Sequence, residues 1–177
     1  MGQESAFGAN LGSCTYNQWM HGGPAMNPTR DQPPFLAIAE VLGFDPTTQE
    51  VSCPLNNKGW GGAMGPSQFI PSAWAIYGGF VEVGGVWRYD ESKDKIRRVT
   101  GKNSPSNPFD KHDAFVATAL LLKANGADGT YRNDRLAALR YYAGWSGAKK
   151  AVNQFYGDQV MERKKRMAAD IKTLGGN

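Results

Sequence analysis

Between Asp45 and Ser67 the chain carries Asn56, Asn57, Gly59, Gly61, Gly62, Gly65 and Pro66, a density of turn residues that leaves no room for a periodic helix or strand. Gly makes up 22 of the 177 residues, well above the ~7% of an average protein. A folded domain with many turns and exposed backbone loops is the expectation. Hydrophobic residues at 41% and charged residues at 20% exclude wholesale disorder. A chain of this length buries roughly 70% of its unfolded surface, enough for one real core. A single domain over 1–177 is expected.

On both sides of the irregular segment the pattern is helical. Asp31 fits an N-cap, Pro33 and Pro34 fit a first turn, and Phe35, Ile38, Ala39 and Leu42 form one stripe that ends at Gly43. Gln3 to Phe7 reads as the last turns of a helix stopping near Gly8. A short helix is expected from Pro71-Ser72 to Tyr77. Over about 81–100 the spacing predicts a β-hairpin, with Val86–Tyr89 and Ile96–Val99 flanking a polar turn at Asp90–Asp94. Asp110 or Asn107 should cap a central core helix through Lys123, apolar nearly all round, with Ala114, Phe115, Thr118, Ala119 and Leu122 on one face. Asn133 should cap a helix through Tyr142, and Ser146 another through Phe155. Gly157 should break that one before a last helix from about Asp158 to Leu174. The fold class is mainly α with a small β-hairpin insertion.

The net charge of +4 and pI near 9.1 favour anionic partners: nucleic acid, acidic membrane surfaces or anionic cell-wall polymers. Arg163-Lys164-Lys165-Arg166 reads as the solvated face of an amphipathic helix whose Val160, Met167, Ile171 and Leu174 turn inward. No nucleic-acid motif accompanies that run, so nucleic acid is not an expected partner. No stretch approaches the ~20 apolar residues of a transmembrane helix. Met1-Gly2 runs straight into Gln3-Glu4-Ser5 without a signal-peptide pattern. Cys14 and Cys53 lack Cys-x-x-Cys spacing, and only His21 and His112 could join them, so neither a metal nor another cofactor is expected. The two cysteines fit one disulfide or two free thiols.

Three clusters depart from ordinary structural sequence. Glu4-Ser5 stands beside a Gly-rich loop. Gly62 to Ser72 reads Gly-Ala-Met-Gly-Pro-Ser-Gln-Phe-Ile-Pro-Ser, where two glycines and a proline fix a tight turn that exposes backbone N–H groups and Gln68. Tyr141-Tyr142-Ala143-Gly144-Trp145 supplies flat apolar faces with hydroxyl tips, which suit the apolar face and polar edges of a sugar ring.

In this order, the three clusters resemble the soluble lytic transglycosylase domain, a lysozyme-like helical fold that cleaves peptidoglycan, and are closest to the membrane-bound B-type murein transglycosylases. Glu4-Ser5 matches the family's catalytic Glu-Ser pair, and Ala63 to Ser72 matches its Gly- and Gln-containing loop. Arg140 to Gly144 resembles its Ala-Tyr-Asn-Ala-Gly motif, with Arg140 and Tyr142 in place of Ala and Asn. Asn107-Pro108 with Asp113-Ala114-Phe115 looks like the entry to its core helix. The resemblance covers most of the chain. The stretches at 14–30 and about 81–100 look like insertions.

The resemblance implies a lyase that cuts the bond between N-acetylmuramic acid and N-acetylglucosamine and leaves a 1,6-anhydro product. Glu4 would be the acid and then the base, beneath an apolar wall of Met64, Phe69 and Tyr141. Ser5, Met64, Gln68, Phe69, Tyr141 and Tyr142 would bind substrate. The partner would be the peptidoglycan glycan strand, with no cofactor. The protein would act as a monomer in the periplasm, the cell envelope or the extracellular space, where Cys14 and Cys53 are expected to pair. Two rivals share the groove: a hydrolytic muramidase and a non-catalytic wall-binding module. In the family the glutamate ends a helix of several turns. Here only Met1, Gly2 and Gln3 precede it, so the expectation is a truncated piece of a longer exported protein, lacking that upstream helix.

Overall fold

The computed structural model describes residues 5, 6, 8–20, 22–55 and 59–175. About 48% of it is helical, so the mainly α class is observed. The contacts divide the chain into two compact units, residues 1–118 and 119–177. Among the described residues no helix is long and apolar enough to cross a membrane.

The first unit opens on a loop that folds into a two-residue ribbon, β1 (Trp19–Met20) against β2 (Gly23–Pro24). Helix α1 (Gln32–Leu42) follows as expected, starting after Asp31 and ending on Gly43, whose φ of 73° lets its N–H reach Ala39 O at 2.8 Å. Phe35, Ile38 and Ala39 of the predicted stripe are buried. Phe35 packs between Tyr16 and Phe44, and Phe44 stands edge-on to Phe109.

Helix α2 (Pro71–Gly78) has Ile70 at its N-cap and no side-chain cap of its own. The buried Asp31 carboxylate supplies one from α1: its Oδ1 accepts from Ser72 Oγ at 2.7 Å and Ser72 N at 3.3 Å, while Arg30 donates to Oδ2. A carboxylate at a helix N-terminus satisfies orphan donors and complements the helix dipole.

The hairpin exists with a different partner and turn from those expected. β3 (Gly79–Val83) pairs antiparallel with β4 (Val86–Asp94), Phe80 opposite Tyr89 and Val83 opposite Val86. Gly84 and Gly85 make the turn with φ of 62° and 81°, the left-handed pair that a two-residue hairpin turn needs. Asp90–Asp94 continues the strand, and Lys95–Thr100 is helix α3, not a strand. Asp94 decides this. Its buried carboxylate caps α3 through Arg97 N and also accepts from Ser106 N, Ser106 Oγ and Tyr89 Oη. Burial, with the bond to Asp94, pushes the Tyr89 phenol well above its usual range.

Helix α4 (Lys111–Ala124) starts as expected, with Asp110 Oδ1 accepting Asp113 N at 2.9 Å. It is not apolar all round in effect: Asp113, Ala114 and Ala117 are its buried residues, while Phe115 is 48% exposed. Asp113 takes part in the packing because Asn107 N and Lys102 Nζ meet its carboxylate at 2.9 and 2.7 Å.

In the second unit, α5 (Tyr131–Gly147) is capped by Thr130 and not by Asn133, which instead donates to Asp128. It runs on past Tyr142, bending at Gly144, whose φ of 68° and ψ of 177° are not helical. A 3-10 turn (Ala151–Asn153) leads into α6 (Gln154–Thr173). Gly157 lies inside α6 and does not break it. A Cβ there would stand 3.0 Å from Arg135 Cγ and Leu139 Cγ, so the glycine permits close packing of α6 on α5. Met161 is buried, but Met167, Ile171 and Leu174 are exposed and not turned inward as expected.

Cys14 and Cys53 form a disulfide, Cα atoms 5.2 Å apart and 39 residues apart in sequence, beside a two-way backbone pairing of Cys14 with Val51. Converting both cysteines to serine, or adding reductant, is expected to cost roughly 3–4 kcal/mol in the chain-entropy account. Thermal unfolding with and without reductant checks this, and an unchanged Tm would show that the Val51 pairing alone holds the loop. A second expectation concerns pH. The Lys164 ammonium, 2.5 Å away, is the main cause holding the Asp134 carboxyl below the usual range, with burial opposing it. A carboxyl depressed in the folded state adds stability above its unfolded pKa of about 3.9 and loses it as pH falls through the folded value. The Tm gap between the wild type and Asp134→Asn should therefore be full at neutral pH and close in acid.

Candidate functional site

The 64–69 turn is built from backbone contacts that few residue types allow. Met64 and Phe69 close it as a bridge, Met64 N to Phe69 O at 2.8 Å. Gly65 has φ of 60°, and a Cβ on it would lie 2.0 Å from Pro108 O, so the turn meets the loop before α4 backbone to backbone. Ser67 is buried beneath the turn, its hydroxyl 2.8 Å from Ala114 O and 2.7 Å from Thr118 Oγ1. The approach strand is held as well: Gly61 N meets Ala25 O, and Gly62 N meets Ser52 O, each at 2.7 Å.

Ser5 is 2% exposed and donates its hydroxyl to Pro66 O at 2.5 Å, while accepting from Gly8 N at 2.9 Å. Two segments 61 residues apart in sequence are thus joined at the crown of the turn. The Ser5 hydroxyl is committed inside the protein, which makes it a positioning group. Glu4, the expected acid, lies outside the described residues, as do Gln3, Phe7 and His21.

Gln68 takes a φ of 53°, a conformation that costs a side-chain-bearing residue roughly 1–2 kcal/mol. Its Nε2 donates back to Gly65 O at 2.9 Å, so the carboxamide is pinned to the turn with its oxygen as the remaining acceptor. Met64 and Phe69 are 0% and 3% exposed. They form the floor under the turn, with Phe69 edge-on to Trp74 and Tyr77 at 5.8 and 6.5 Å.

Ser5, Met64, Gln68 and Phe69 are therefore gathered in the first unit. Tyr141 and Tyr142 belong to the second. Tyr142 stacks on Tyr156 with ring centroids 4.5 Å apart and stands edge-on to Phe155. Beside it the Arg140 guanidinium lies 3.6 Å over the Trp145 ring and donates to Asn125 O. Arg140 thus has a role of its own at the position where the resemblance departs from the family motif. Among the described residues no group of three or more His, Cys, Asp or Glu could hold a metal ion.

Sequence reasoning gave no role to Ser67, Thr118 or the Pro108 carbonyl. Their importance lies in contacts across more than forty residues, which a linear pattern does not carry. The chain matches no protein-family model, no curated protein and no solved structure.

Two substitutions separate the contributions to the turn. Gly65→Ala should destabilise strongly, because it adds left-handed strain and a clash with Pro108 O. Gln68→Gly should leave Tm nearly unchanged, since relief of roughly 1 kcal/mol of strain offsets the lost bond to Gly65. Thermal denaturation of both variants checks this, and a large loss in Gln68→Gly would show that the carboxamide bond outweighs the strain.

Proposed function

We propose that the chain is a peptidoglycan lytic transglycosylase on a lysozyme-like helical fold. The observation that carries this reading is the bond from Ser5 to Pro66 at 2.5 Å. It ties Ser5, the residue after Glu4 in sequence, to the crown of the Gly65–Gln68 turn, and so joins two of the three clusters on which the resemblance rests.

The chemistry uses one carboxyl group. Glu4 gives its proton to the glycosidic oxygen as the C1–O bond of N-acetylmuramic acid breaks. The substrate's acetamido oxygen stabilises the cationic centre. The Glu4 carboxylate then takes the proton of the C6 hydroxyl, whose oxygen bonds to C1. The 1,6-anhydro ring closes without consuming water, and Glu4 ends protonated as it began. The resemblance implies an apolar wall around the Glu4 carboxyl, and such burial disfavours the charged form and keeps a carboxyl protonated at neutral pH. Gln68 offers its pinned amide oxygen to a substrate N–H. The disulfide supports work outside the reducing cytoplasm, in the cell envelope or beyond.

Mass spectrometry of digested peptidoglycan tests the reading. An anhydro product is lighter by one water than the product of a hydrolytic muramidase, and no product at all would favour a non-catalytic wall-binding module. Glu4→Gln should lower the rate by at least ~10²–10⁴-fold, because general acid and general base are the same group. Retained activity in that variant would remove Glu4 from the mechanism.

A further inference from the structure

The disulfide-tied loop of the first unit displays two indoles that the proposed mechanism does not use. Trp19 is 73% and Trp60 46% exposed, in a segment where the neighbouring Met26 and Val51 are fully buried. Exposed large aromatics held on a fixed support mark binding surfaces. Here the support is rigid. The disulfide joins Cys14 to Cys53, β1 pairs Trp19 with Pro24, and Gly61 N is bonded to Ala25 O at 2.7 Å. The Trp60 ring lies along β2, 3.7 Å from where a Cβ on Gly23 would stand.

Trp60 also walls a cavity of about 130 Å³ with Met20, Gly22, Gly23, Pro24, Pro54 and Gly59. Drug-sized ligands occupy roughly 300–1,000 Å³, so this cavity fits one substituent and not a whole oligosaccharide. Apart from the indole, its lining is mostly glycine and proline, whose polar atoms are those of the backbone. An apolar ring beside backbone donors and acceptors matches a pyranose carrying an acetamido group: its C–H face stacks on the indole and its amide bonds to the main chain. Trp60 stands four residues before Met64, on the segment that leads into the 64–69 turn.

We propose that Trp60, with the Gly22–Pro24 backbone, forms an accessory subsite for one N-acetylated sugar of a glycan strand. The inference deepens the glycan reading given above. The test measures binding of the N-acetylglucosamine hexamer, and of sonicated peptidoglycan strands, by calorimetry in a Glu4→Gln background. Trp60→Ala should weaken hexamer binding about tenfold with Tm unchanged, and Trp60→Phe should restore part of it. Indole N–H resonances of the Glu4→Gln protein, assigned by Trp→Phe variants, give a readout that does not depend on Trp60→Ala folding: that of Trp60 should shift on hexamer addition. Unchanged affinity in a folded Trp60→Ala, or no shift of the Trp60 indole, overturns the subsite. Hexamer binding that depends on Trp60, in a wild-type protein that releases no anhydro product, would keep the subsite and discard the lytic activity. Anhydro product at equal rates from wild type and Trp60→Ala, with equal hexamer affinity, would do the reverse.

Discussion

At Gly65 a Cβ would stand 2.0 Å from the carbonyl oxygen of Pro108, so the 64–69 turn and the loop leading into α4 touch main chain to main chain. The remaining features of the candidate site follow from that approach. Once the two backbones meet, Ser67 lies within reach of Ala114 O and Thr118, and Pro66 O is presented to Ser5. The turn is fastened on three sides by hydroxyl and carbonyl groups and not by apolar side chains. The backbone of the turn is buried, against the expectation that it would be exposed, and Gln68 is its half-buried residue.

A domain so rich in loops has the problem of satisfying many backbone donors away from water. Buried carboxylates solve it here. Asp31 serves the N-terminus of α2, Asp94 serves α3 together with the Ser106 loop, and Asp113 serves Asn107 N while pairing with Lys102. Each gathers several donors, Asp31 from a segment 41 residues away and Asp94 and Asp113 from neighbouring loops. The arrangement is asymmetric in energy, because a buried acceptor or donor left alone bears its full desolvation cost, about 1–3 kcal/mol. The loops are thereby tied to helix starts, and the α2 start directly follows the candidate turn.

The legible parts of this fold were those in which local chemistry and tertiary packing agree. α1 carries its own start in Pro33-Pro34 and its own stop in Gly43, and nothing distant overrides them. The hairpin was misplaced because the polar run at 90–94 resembles a turn by composition, whereas Gly84-Gly85 is a turn by backbone geometry. The β-branched Ile96 and Val99 favour a strand, but the Asp94 cap and the closure at Gly101 make the segment a helix. At Gly157 the residue that reads as a breaker is an accommodation to Arg135 and Leu139, visible only once α5 lies against it. In the candidate site, the motif at 62–72 coincides with a turn built on backbone contacts. The division of labour within it depended on long-range partners: Ser5 and Ser67 as internal ties, Met64 and Phe69 as floor.

Gln68 shows what the turn gives up to keep a side chain at a left-handed position. Its φ of 53° is a position that glycine fills without strain, and glycine already occupies the positive-φ sites at 62 and 65 on the same approach. A glutamine there is harder to hold, and it persists because its surroundings over-determine it: the Met64–Phe69 bridge fixes the backbone and Gly65 O fixes the amide nitrogen. Both restraints act in one direction, leaving the amide oxygen as the group that is not consumed by the turn itself. For an acceptor meant to read a ligand N–H, this is preorganisation: the rotamer is chosen before the ligand arrives, and the entropy of choosing it is not charged to binding.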